Sequence, residues 1–124
     1  MNLGFIGTGN IVSDVIIGIS KSKIKYKKII ISPRNKKKAI YLKKYFKKVT
    51  IAKNNQEVID KTDWVFLGVL PKVGEAILPK LRFRNKQIIV SFMSTTNYTK
   101  LKKLIKTKSV IIRAIPMPPI RMGK

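Results

Sequence analysis

Cysteine and histidine are both absent from this chain of 124 residues, and only 5 Asp and Glu stand against 28 Lys and Arg. Without cysteine there is no disulfide framework. Without histidine as well, the side chains on which most transition-metal centres and nucleophilic triads depend are missing. The few carboxylates give no close pair for glycosidase chemistry; Asp14, Glu57, Asp60 and Asp63 read as solvated charges or caps. No apolar run approaches the ~20 residues of a membrane span. The N-terminus lacks the basic segment, apolar stretch and cleavage site of a secretion signal. A cytoplasmic protein with no membrane segment is the expectation. Tryptophan occurs once, yet the hydrophobic content is 44%, enough for a packed core and against disorder. The length suits one domain and is short for two.

The charge imbalance leaves +23. Such a field attracts polyanions, nucleic acid included. The lysines read as spread along the chain beside abundant Ile and Asn, a compositional bias rather than a basic arm. No helix-turn-helix, zinc finger or aromatic RNA-binding signature accompanies them. The field would also help to draw in an anionic dinucleotide.

What is there begins at residue 3. Leu3-Gly4-Phe5-Ile6 is an apolar strand, Gly7-Thr8-Gly9 follows, and an apolar helical pattern starts at Asn10-Ile11. This is the order a dinucleotide-binding βαβ unit requires. The first glycine allows a tight turn, the second lets backbone approach a pyrophosphate, and the helix aims its free N–H groups at the phosphates. Val12 stands where the pattern prefers Gly or Ala, at an expected cost in close helix–strand packing.

Strand and helix patterns alternate from there on. Strands are predicted over 3–6, 28–32, 49–52, 64–69, 87–92 and 109–114, and helices over 11–19, 36–46, 56–61, 73–81 and 98–105. The second helix offers Ala39, Ile40, Leu42, Tyr45 and Phe46 to an inner face, and Asn54 or Asn55 opens the third. Continuous apolar strands separated by helices imply a parallel sheet covered on both faces. The fold class is therefore α/β: a doubly wound, Rossmann-type sheet in a three-layer αβα arrangement, with the glycine turn at its centre. The tail Pro116-Met117-Pro118-Pro119 lies where the sheet has to end.

Six segments in order resemble the N-terminal domain of the pyrroline-5-carboxylate reductase family. They are Gly4-Phe5-Ile6-Gly7-Thr8-Gly9-Asn10-Ile11, Ile31-Ser32-Pro33-Arg34-Asn35, Asn55-Gln56-Glu57-Val58 with Asp63, Val69-Leu70-Pro71, Ser91 to Thr95, and Arg113-Ala114-Ile115-Pro116. The family pattern has Lys where this chain has Leu70, Ala-Gly where it has Ser94-Thr95, and Asn where it has Met117. The resemblance implies an NADP-binding domain over 1–124 and reduction of an imino acid to proline. The resemblance leaves the family's helical dimerisation domain without a counterpart in these 124 residues, so the expectation is either a fragment or shortened gene product of a reductase, or a chain that works with a separately encoded helical partner. A non-catalytic NADP(H)-binding protein and a basic nucleic-acid binder are the competing readings.

The candidate site residues follow from motif and resemblance together. Gly7, Thr8, Gly9, Asn10 and Ile11 would hold the pyrophosphate. Ser32, Arg34 and Asn35, with Lys36 beside them, occupy the place where NAD-specific sites carry an acid that grips the 2′-hydroxyl. A guanidinium there takes a phosphate bidentately, so NADP(H) is favoured over NAD(H). By resemblance Asn55, Val69, Leu70 and Pro71 would line the nicotinamide ribose. Ser94 and Thr95 are the candidate catalytic hydroxyls, Arg113 has a structural role at the chain's exit, and no metal is expected. Hydride transfer needs no nucleophile, since the cofactor carries the chemistry and the protein positions it.

Overall fold

The computed structural model describes residues 1–7 and 9–115. Thr8, Pro116, Met117, Pro118 and Pro119 lie outside the described residues. The six strands are β1 (Asn2–Ile6), β2 (Lys28–Ile31), β3 (Val49–Ile51), β4 (Trp64–Leu67), β5 (Ile88–Ser91) and β6 (Val110–Arg113). The helices are α1 (Asn10–Lys21), α2 (Lys36–Tyr45), α3 (Asn55–Asp60), α4 (Pro71–Ile77) and α5 (Tyr98–Ile105). All pairings are parallel and the strand order is β3-β2-β1-β4-β5-β6. This is the doubly wound sheet expected from the alternating pattern.

Register follows from which apolar residues must share a face. Leu3 pairs with Ile29 and Trp64, and Phe5 with Ile31 and Phe66, so these side chains lie on one side of the sheet. There they pack with Val12, Val15 and Ile16 of α1 and with Ala39 and Leu42 of α2. Phe5 and Phe66 stack with ring centroids 4.6 Å apart. Ile30, Val65, Ile89 and Ile111 point the other way and join Val58 and Ile59 of α3 and Leu101 and Ile105 of α5.

Several element ends differ from the sequence reading, each for a local reason. Ile40 and Tyr45 are 60% and 59% exposed, because α2 buries Ala39 and Leu42 against the core, with Phe46 partly buried at its C-cap. Of the two caps the sequence offers for α3, Asn54 takes the place: its side chain accepts from the Glu57 N–H at 2.8 Å, while Glu57 Oε1 accepts from the Lys53 N–H at 3.1 Å. Pro71 opens α4 at its first turn, where a missing N–H costs nothing. The stretch predicted as one helix to Leu81 tightens into a 3-10 turn at Leu78–Lys80, where Pro79 interrupts the α pattern.

The low end of the sheet is fastened by Gln87, which is 2% exposed. Its amide donates to the Ile59 and Thr62 carbonyls at 2.6 and 2.8 Å, and its oxygen accepts from the Arg84 N–H at 2.8 Å. At the other end, Val12 carries no packing penalty. It is fully buried, and its Cγ2 lies 2.1 Å from where a Cβ on Gly68 would stand. The small residue that the motif usually puts on the helix is supplied by the strand end instead. Gly68→Ala is therefore expected to cost roughly 1–3 kcal/mol through overpacking. Adding Val12→Ala should recover most of that loss, which urea unfolding of both single variants and the double variant will measure as a coupling energy.

Candidate functional site

The site forms at the C-terminal ends of the strands. β1 has β2 on one side and β4 on the other, so the connections leaving β1 and β4 diverge and open a crevice between them. Gly7 turns the chain into that crevice at φ +96°, a conformation that L side chains rarely adopt. A Cβ on Gly7 would also stand 2.4 Å from the Gly68 carbonyl oxygen. The Gly7 N–H donates to Ser32 Oγ at 2.9 Å. Ser32 is fully buried, so its hydroxyl supports the glycine turn from beneath and does not face the groove.

Gly9 differs from Gly7. Its φ of −73° suits any residue, and a Cβ there would meet nothing within 4 Å. Open space therefore faces the N-terminus of α1, a helix of 12 residues with no side-chain cap and no acid in its first turn. Its first N–H groups are left for a ligand.

A groove of about 560 Å³ runs past this turn, lined by Gly7 and Gly9, by Arg34, Asn35, Lys36 and Lys37, and by Gly68, Val69, Leu70 and Val73. No lining residue is acidic. Asn35 caps α2 by accepting from the Lys38 N–H at 3.3 Å, which points a second helix N-terminus toward the same space. The Lys38 ammonium donates to Asn10 Oδ1, joining the first turns of α2 and α1.

Two further grooves continue it. One, of about 610 Å³, shares Arg34 and Val73 and adds Pro33, Asn54 and Asn55. The other, of about 600 Å³, shares Gly9, Gly68, Val69 and Leu70 and adds Asn10, Ile11, Pro71, Phe92, Met93, Ser94 and Thr95. Arg113 Nη2 donates to the Ser94 carbonyl at 2.9 Å and holds that last loop. The candidates thus fall along one edge in the order Asn55, Arg34 and Asn35, Gly7 and Gly9, then Ser94 and Thr95. Asn55 lies at the Arg34 end rather than with the nicotinamide-side candidates, because β3 neighbours β2 and carries the β3–α3 loop away from β5.

Lys37, Val73, Phe92 and Met93 line these grooves without having been singled out, as does Gly68. A glycine closing the run Trp64–Leu67 was the one available signal for Gly68; the others are brought in only by packing. Among the described residues no group of three or more His, Cys, Asp or Glu could hold a metal ion, and no helix is long and apolar enough to cross a membrane.

Comparison with known proteins agrees with this geometry. Residues 2–95 match the model of the family described as NADP oxidoreductase, coenzyme F420-dependent. The chain is 26% identical over 125 residues to pyrroline-5-carboxylate reductase of Haemophilus influenzae, covering 98% of this chain and 45% of that protein. The crystal structure of 1-pyrroline-5-carboxylate reductase from Streptococcus pyogenes superposes with a TM-score of 0.75 at 26% identity, over 94% of this chain and 42% of that one. The Plasmodium falciparum pyrroline carboxylate reductase, solved with NADP bound, shares the fold with a TM-score of 0.83 at 20% identity, over 100% of this chain and 45% of that one. The chain therefore spans less than half the length of these relatives. It belongs to the family described as NADP oxidoreductase, coenzyme F420-dependent, and in sequence and fold it resembles the N-terminal domain of pyrroline-5-carboxylate reductases.

Proposed function

We propose that this chain is the NADP(H)-binding part of a reductase of the pyrroline-5-carboxylate reductase type, acting on an imino acid together with a helical substrate-side unit. The observation that carries this reading is the acid-free groove in which Gly7 and Gly9 meet Arg34. Gly9 leaves space where a pyrophosphate would approach the N-terminus of α1. Arg34, with Lys36 and Lys37 beside it, supplies cations for a 2′-phosphate. Asn35 and Asn55 flank that end, and Val69 and Leu70 offer backbone to the middle of the molecule. Ser94 and Thr95 sit at the far end, where a nicotinamide would lie. A bound nicotinamide dinucleotide supplies the hydride. The protein's part is to hold the ring in place and to exclude carboxylates that would repel the phosphates.

The resemblance to relatives named for pyrroline-5-carboxylate supports the imino-acid assignment. The chain's span of less than half their length supports a second unit that completes the substrate site. Leu70, 74% exposed at the groove, is a surface such a unit would cover.

Gly9→Ala should weaken NADPH and NADH alike while shifting folding stability by no more than about 0.5 kcal/mol. Gly7→Ala should destabilise the fold outright, by roughly 1 kcal/mol or more. Thermal melts beside cofactor titrations separate the two effects. Wild type should bind NADPH more tightly than NADH, and Arg34→Asp should weaken NADPH at least about tenfold while sparing or improving NADH. Identical titration curves for both cofactors before and after the substitution would remove Arg34 from the proposal. The 124-residue chain alone should turn over 1-pyrroline-5-carboxylate far below the ~1 per second of ordinary enzymes, because orientation of the imine contributes much of the rate. Loss of reduced-nicotinamide absorbance with proline as product measures it, and ordinary turnover would show that no second unit is needed.

A further inference from the structure

The lysines are not evenly placed. Fourteen of the 28 Lys and Arg, and none of the Asp and Glu, fall between residues 21 and 53. In the strand order that segment is one edge of the molecule: β2, α2 and β3, with the loops beside them. The folded protein therefore has a cationic edge, and the five carboxylates belong to the rest of the chain.

Aromatic rings are set into that edge. On α2, Lys37, Tyr41, Lys44 and Tyr45 recur at intervals of four, three and one residues, which places them along one face of the helix. Tyr41 and Tyr45 are 48% and 59% exposed, although their bulk would ordinarily seek the core. Their ring centroids lie 4.8 Å apart, and the Lys44 ammonium stands 5.5 Å from the centre of the Tyr45 ring. Beyond the helix the pattern continues. Lys48 lies 4.7 Å from the centre of the Tyr26 ring and donates to the Tyr26 carbonyl at 3.2 Å. A run of alternating cations and π-faces thus extends from the cofactor groove, at Lys37, toward the opposite end of the sheet.

We infer that this edge is a binding surface for single-stranded nucleic acid. Its ammonium groups would track the phosphates, and Tyr41 and Tyr45 would accept unstacked bases on their exposed faces. A duplex keeps its bases paired and stacked, and so leaves the rings without a partner. A site built on charge and stacking is tolerant of sequence, which fits the absence of any base-reading motif. The edge meets the proposed cofactor grooves at Arg34, Lys36, Lys37 and Lys53, whereas Tyr41, Lys44, Tyr45 and Lys48 line none of them, so substitutions at those four positions test the surface independently of NADP(H) binding.

The test is fluorescence anisotropy with a labelled oligouridylate of about 20 nucleotides, longer than the roughly 4–16 that a single platform of this kind occupies. Wild type should bind it at physiological salt, and bind an equal-length duplex more weakly. Tyr41→Ala with Tyr45→Ala leaves the charge unchanged and should weaken single-strand binding at least about fivefold. The thermal melt followed by circular dichroism should stay unaltered, which reports that the variant is folded. Lys44→Gln with Lys48→Gln should reduce the slope of log affinity against log salt by about 1.4. The matched pair Lys103→Gln with Lys108→Gln, exposed and outside the edge, should change it little. Equal losses from the two lysine pairs would overturn the proposal in favour of diffuse charge. Unchanged binding by the tyrosine variant, or no binding by wild type, would overturn it as well. Tyrosine-dependent binding to phosphatidylserine vesicles that exceeds binding to the oligonucleotide would replace it with a membrane surface.

Discussion

The contact between the turn after β1 and the end of β4 governs everything built above it. Gly7 passes so near the Gly68 carbonyl that no side chain fits between them, and Val12 of α1 fills the space that Gly68 leaves empty. That three-residue contact sets how closely α1 approaches the sheet. It thereby sets where the N-terminus of α1 points. Ser32 completes the arrangement from below, because its buried hydroxyl accepts the Gly7 N–H just past the end of β1. A backbone N–H buried without a partner would cost about 1–3 kcal/mol, so a polar residue at the end of β2 is part of the turn's construction. Ser32, placed by sequence among the candidate cofactor residues, belongs to the scaffold beneath the groove.

From that fixed point the groove is assembled by topology more than by local sequence. β1 at the centre lets loops from β2 and β4 reach it from opposite sides, and these bring Arg34 and Leu70 to one cavity although they are far apart in the chain. Caps then position the walls. Asn35 and Asn54 each accept an N–H from the first turn of their helices, which fixes the entry of α2 and α3 and leaves Arg34 and Asn55 at the mouth. The lack of acid along the groove and the excess of base on the adjoining edge act in the same direction. A multiply charged anion approaching this end of the molecule meets an attractive field before it meets any specific contact.

The strand–turn–helix at residues 3–12, the order of the elements and the parallel sheet were all legible in the residues. These features arise from short-range physics: apolar periodicity, glycine freedom and helix propensity act over a few positions. That Gly9, Arg34, Val69 and Leu70 would line one groove was legible for the same reason, since in a parallel sheet every strand's C-terminal end lies on one edge. Element ends were less so. Asn54 and Asn55 are equivalent as caps until the geometry of β3 selects one. Ile40 and Tyr45 look like inner-face residues until α2 buries Ala39 and Leu42 instead.

What the sequence determined by itself is the architecture and the chemical character of its top edge. What the tertiary structure alone decided is which residues face each other across the chain. Val12 opposes a strong local preference in the glycine motif and is harmless because Gly68, 56 residues later, yields the space. Ser32 and Arg34 are two positions apart, yet one is buried under the turn and the other lines the groove. In each case the deciding quantity is a distance between segments remote in sequence. Local preference does not encode such a distance, and packing fixes it only once the whole sheet has formed.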